Sequence, residues 1–149
     1  MTVCARSSRD AVTGLARVLI VDDDPASRIT LQTVLEASGY CVDSAATAAE
    51  AVGKMNLSPY ALVLSDLQLE SPEAGLRVLA HAQLMKYEPA TALVTTWQNS
   101  SPRDESLGQG GKVLIAPQDI PGLLTKVACL IADRATRMVR RELRYIRNN

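Results

Sequence analysis

The sequence predicts a five-stranded doubly wound α/β fold, a parallel sheet covered by helices on both sides. Two observations predict it. Short apolar runs alternate strictly with helical patterns along the chain, and the runs are apolar throughout rather than alternating with polar residues, as strands buried on both faces are. Such alternation requires right-handed crossovers between parallel strands.

The first strand is RVLIV (17–21). The helix after it has a cap in Asp24, a proline suited to the first turn in Pro25, and a stop at Gly39. YCVDSA (40–45) reads as a second, weaker strand, and Thr47 with Glu50 forms a T-x-x-E capping box that opens the helix AAEAVGKMNL. After the Ser58-Pro59 break, YALVLS (60–65) is a third strand that ends directly on Asp66; the loop LQLESPEA then leads to a helix from about Gly75 to Tyr87. TALVT (91–95) and KVLIA (112–116) are the fourth and fifth strands, and a last helix starts near Asp119. Between those two strands, QNSSPRDESLGQGG (98–111) offers one helix start, at Ser101 to Asp104, which Gly108 ends within two turns; this crossover helix is expected to be short or irregular.

A chain of 149 residues suits one domain. We divide it into an N-terminal extension (1–16), the domain (17–133) and a tail (134–149). The formal charge is zero, yet the tail holds six arginines against Glu142, so the rest is net acidic. Cys4, Cys41 and Cys129 are odd in number and match no metal-binding spacing, which reads as free thiols in a reducing cytosol; Cys41 and Cys129 fall in apolar patterns and are expected in the core. With no signal-peptide core and no run long enough to span a membrane, the expectation is a soluble, cytoplasmic protein.

The stretch RVLIVDDDPASR sets three carboxylates side by side. Asp24 belongs to the helix as its cap. Asp22 and Asp23 close the first strand and Asp66 closes the third, so neighbouring strands would bring all three into the crevice where such sheets bind ligands. Oxygen-only ligands with water completing the shell are what Mg²⁺ prefers. A single aspartate at a strand end commonly caps a turn; three at two matching strand ends need a further reason.

VLIVDDDPASR, LVLSD and ALVTT together resemble the receiver domain of bacterial two-component response regulators, over Arg17 to Asp133. The resemblance implies a flavodoxin-like strand order 2-1-3-4-5. It implies Asp66 as the phosphoacceptor, Asp22 and Asp23 as holders of Mg²⁺, the backbone carbonyl of Gln68 as a further ligand, and Thr96 as the switch hydroxyl that follows the phosphoryl group. The donor would be a phosphohistidine on a histidine kinase or phosphotransfer protein, and the chain would be a signalling module rather than an enzyme. A carboxylate attacking a phosphoryl group sets negative against negative charge, which a divalent cation offsets.

This chain departs from the family in several places. The fifth strand ends on Ala116 before Pro117, where a lysine is usual; Val113 stands where Tyr or Phe is usual; Trp97 follows Thr96 in place of a small residue; and Glu70 stands where proline is common. Lys112 is no substitute for the lysine, because four strand residues place it about 13 Å from the strand end. The expectation is an atypical receiver acting through protein interaction. One alternative is a phosphorylation-independent pseudo-receiver, its acidic crevice a plain ion site or empty. Another is a haloacid-dehalogenase-like phosphatase built on the D-x-D of Asp22 to Asp24, which Pro25 and the lack of an Asp-Asp pair near the fourth strand disfavour. His81, mid-helix and without a partner for base chemistry, reads as an ordinary packing or surface residue.

In the tail, Ala135, Met138, Val139, Leu143 and Ile146 fall on one helical face and the six arginines on the other. That stripe suits a homodimer or a partner protein; the bland reading is a solvated helix end or a linker. Without interleaved aromatics, the arginine face supports only salt-sensitive, unspecific contact with nucleic acid or an anionic surface. The expectation is that the residues from 134 to 149 hold no helix-turn-helix or enzymatic output.

Overall fold

The computed structural model describes residues 16–67, 69–94, 113–115 and 119–148. Its sheet is parallel, with strands β1 (Arg17–Val21), β2 (Cys41–Ala45), β3 (Leu62–Asp66) and β4 (Ala90–Val94) in the order β2-β1-β3-β4. A three-residue strand, β5 (Val113–Ile115), runs parallel against β4 in the register Ala92 to Val113. Helices α1 (Pro25–Ala37), α2 (Ala48–Leu57), α3 (Pro72–Gln83) and α4 (Ile120–Asn148) follow β1, β2, β3 and β5.

The sheet is buried on both faces because its strands carry apolar side chains both up and down. Val18, Ile20, Leu62 and Leu64 meet Leu31 and Leu35 of α1 and Leu123 and Val127 of α4 on one face. On the other, Leu19, Val21 and Val63 meet Ala51 and Met55 of α2 and Ala74, Val78 and Ala82 of α3. This is the doubly wound arrangement that the uninterrupted apolar runs predict.

The helix signals act as the sequence suggests. Asp24 accepts from the Ser27 N–H and hydroxyl, Pro25 opens α1, and Gly39 follows its end at φ 99°, in the left-handed region open to glycine. Thr47 accepts from the Glu50 N–H (3.1 Å), while the Glu50 carboxylate takes the Ala46 N–H (3.0 Å), one residue before the cap.

Some expectations need correction. The helix placed from Gly75 to Tyr87 is Pro72–Gln83: Ser71 caps it by accepting from the Ala74 N–H (3.2 Å), and Pro72 suits its first turn. Cys129 is exposed on α4 rather than in the core, because the helix turns Leu123 and Val127 to the sheet instead. Cys41 is buried as expected, but it is disulfide-bonded, so among the described residues the free-thiol reading holds for Cys129 alone. The N-terminal extension up to residue 15, Cys4 within it, and the stretch 98–111 lie outside the described residues. No helix among the described residues is long and apolar enough to cross a membrane.

Candidate functional site

β1 and β3 are neighbours, in the register Val18 to Leu62 through Val21 to Ser65. Asp22 and Asp23, just past β1, therefore stand beside Asp66, the last residue of β3. One carboxylate oxygen from each of the three lies within 4.8 Å of the others. Asp22 is 3% exposed and Asp66 6%, while Asp23 faces solvent at the rim.

Asp22 is held from several sides. Its N–H donates to the Ala45 carbonyl of β2 (3.0 Å), its carboxylate accepts from the Asp24 N–H (2.9 Å), and its carbonyl accepts from the Arg28 guanidinium (2.9 Å). These contacts answer why a third aspartate follows the pair: Asp24 caps α1 and, through its N–H, orients Asp22.

Burial pushes the Asp22 carboxyl up to about 7, against the lowering effect of the Asp24 N–H; the charge of Asp66, a hydrogen bond between the two carboxyls, and the charge of Asp23 push the same way. Two buried carboxylates side by side cannot both ionise cheaply without a cation. The Asp24 carboxyl, fully in water, is held below its ordinary range by the Ser27 hydroxyl and N–H.

The donor set fits Mg²⁺. It is all oxygen, one member opens to solvent where water completes the shell, and the oxygens lie within 4.8 Å of one another, near enough to converge on one ion. A dication offsets both the cost of burying the Asp22 charge and its repulsion from Asp66 and Asp23.

Two further residues shape the site. Gly75, in the first turn of α3, lies so close to the end of β3 that an added Cβ would stand 2.5 Å from the Asp66 carbonyl and 3.5 Å from the Ser65 hydroxyl. Glu70, in the loop after β3, accepts the Ala48 N–H at 2.6 Å, so the loop is tied to the first turn of α2. The sequence marks Glu70 only as a departure, and it holds no signal for the packing at Gly75. The small pair Ala74-Gly75, in the helix after the strand-end aspartate, is the nearest hint.

His81 bonds Asn56 (2.9 Å), joining α3 to α2 as a packing residue. Gln68, Thr96, Trp97, Lys112 and Ala116 lie outside the described residues, as does the side chain of Val113. The tail residues Met138, Val139, Leu143 and Ile146 are exposed on α4, away from the carboxylates.

Residues 18–127 match the family model described as the response regulator receiver domain. The gliding motility regulatory protein of Myxococcus xanthus is 32% identical over 95 residues, which are 62% of this chain and 12% of that protein. The chain thus spans about an eighth of this curated relative. A CheY-like response regulator receiver domain protein from Methanospirillum hungatei is 28% identical, with a TM-score of 0.67 over 83% of this chain and 98% of that one. The response regulator TrrA of Thermotoga maritima, solved in complex with Mg²⁺-BeF, is 27% identical, with a TM-score of 0.66 over 78% of this chain and 99% of that one.

Proposed function

Because the chain belongs to the response regulator receiver domain family, we propose that it accepts a phosphoryl group on Asp66 from a phosphohistidine of a histidine kinase or phosphotransfer protein and signals by protein interaction. The observation that carries this reading is the convergence of Asp22, Asp23 and Asp66 at the ends of two adjacent strands. The chain is a signalling domain rather than an enzyme acting on an external substrate.

In the reading proposed, an Asp66 oxygen attacks phosphorus, the P–N bond to the donor imidazole breaks with its electrons going to nitrogen, and an acyl phosphate results. Asp22 and Asp23, with Asp66 and the Gln68 carbonyl, would hold Mg²⁺, which supplies positive charge against the phosphoryl oxygens. Asp22 is oriented by Asp24, Ala45 and Arg28, so no reorganisation of its backbone is needed. Thr96 is the proposed switch, the fold completes as 2-1-3-4-5 with a shortened helix before β5, and the α4 tail is the contact surface.

Ala116 supports a second reading, a phosphorylation-independent interaction module, because loss of one charge-stabilising contact typically costs about 10²- to 10³-fold in rate. Incubation with acetyl phosphate and Mg²⁺ separates the two. The first reading expects hydroxylamine-labile phosphate that disappears with a chelator and with Asp23→Asn. Phosphate absent from the wild type, with both the small donor and a kinase panel, would leave the second.

A further inference from the structure

We propose that two copies of this chain pair through the outward apolar face of α4, centred on Ala135, Val139, Leu143 and Ile146. This names the partner for the interaction reading above, and it stands independently of phosphate on Asp66.

The helix has two halves of different character. Leu123 and Val127 are buried in the sheet's core, and Leu130 and Ile131 are packed against it, whereas every described residue from Ala135 onward is exposed. An isolated helix of that remaining length is marginal in water, since those shorter than about 12–15 residues rarely persist alone. The second half has no core of its own.

Its rotation is fixed. The Arg134 guanidinium donates to the carbonyls of Tyr87 (2.6 Å) and Glu88 (3.0 Å), and Arg141 pairs with the Glu88 carboxylate at 2.6 Å. Leu123, Val127, Arg134 and Arg141 therefore mark the side turned to the domain. At 3.6 residues per turn, the line of Ala135, Val139, Leu143 and Ile146 lies roughly 140° around the helix from that side. Among the described residues nothing covers it, and Val139, Leu143 and Ile146 are 55%, 59% and 67% exposed.

Charge placement identifies the occupant. With Val139 and Ile146 at position a of a heptad, Ala132 also falls at a, Ala135 at d, Leu143 at e, and Met138 and Tyr145 at g. All six arginines then fall at b, c and f, the outward positions. Two copies meeting along this seam bring no arginine against arginine, although each tail carries six arginines and one glutamate. An acidic partner helix would be read by cations at e and g, where this helix has none. An anionic membrane would have to take up the carboxylate of Glu142, which sits at d within the apolar arc and forms no ion pair among the described residues. Ala132 and Ala135 let the two helices approach closely beside the domains, and the larger residues follow outward. Glu142 at the seam keeps the pairing weak and concentration-dependent.

Sedimentation velocity of the full chain over a wide concentration series is the test. Expected are a monomer–dimer equilibrium, loss of the dimer in Val139→Arg/Ile146→Arg, and at least about tenfold tighter pairing in Glu142→Leu, as removal of a seam charge should produce. Arg137→Gln/Arg144→Gln should leave the equilibrium unchanged, and Asp66→Asn likewise. Far-UV circular dichroism checks that each variant folds, and Mg²⁺-dependent labelling of Asp66 does so for those that keep this residue. A wild type and Glu142→Leu that stay monomeric throughout would overturn the proposal, as would a dimer indifferent to Val139→Arg/Ile146→Arg. Binding of the monomer to vesicles of anionic lipid through the same face, without pairing, would overturn it too. Failure to label Asp66 with the dimer intact would instead strike the phosphoacceptor reading.

Discussion

Asp22 shows at the residue scale how the site trades stability for binding. Its carboxyl is raised from 3.8 to about 7 in the fold, so between those values the folded chain keeps a proton that the unfolded chain gives up. The contribution of this group is therefore fully present below about 4 and is lost as pH rises through about 7. Without metal, urea midpoints should fall from one unit below that value to one unit above it. Added Mg²⁺ should restore the midpoint on the alkaline side, and in Asp22→Asn both the pH slope and the Mg²⁺ response should shrink. A midpoint that rises with pH would contradict this. Gly75 carries a different constraint. A Cβ there meets the Asp66 carbonyl at 2.5 Å, and backbone cannot swing aside as a side chain can. Gly75→Ala should cost about 1–3 kcal/mol as overpacking, measured by denaturant unfolding. It should also slow Asp66 labelling beyond what the lost stability explains.

Among the elements, contacts between distant segments decide what the sequence could not say. The caps of α1 and α2 were legible because Asp24 and Thr47 act on backbone three residues away. The tie from Glu70 to Ala48 spans 22 residues, and the bonds from Arg134 to Glu88 and Tyr87 span 46 and 47, so no local pattern announces them. Glu88 also sits at φ 43°, a conformation that the turn before β4 holds while its carbonyl and carboxylate receive α4. Thr47→Ala should destabilise the chain by about 1 kcal/mol, as lost helix caps do. Glu70→Ala should cost less in stability than in Mg²⁺ affinity, because it frees the loop after β3, to which the proposed further ligand Gln68 belongs. Equal loss in both, measured by calorimetry and unfolding, would reduce Glu70 to a surface contact.

For the whole molecule, the fold was readable because both-face burial leaves unbroken apolar runs, and the carboxylates were readable because they stand at strand ends. The exposed place of Cys129 was not, since α4 is apolar on more than one side and only packing against the sheet decides that Leu123 and Val127 face inward. The same domain combines a complete acidic cluster with Ala116 where the family's lysine stands. Ala116→Lys should raise the rate of Asp66 phosphorylation, by up to about 10²-fold if the lysine contacts the transition state, in stopped reactions with acetyl phosphate. An unchanged rate would mean that this chain meets the charge by another group. The most direct measurement is intact mass of the wild type and Asp66→Asn after incubation with Mg²⁺ and either a small phosphodonor or a phosphorylated histidine kinase. One added phosphoryl group on the wild type alone is the predicted result; addition to both proteins, or to neither with any donor, would contradict Asp66 as the phosphoacceptor.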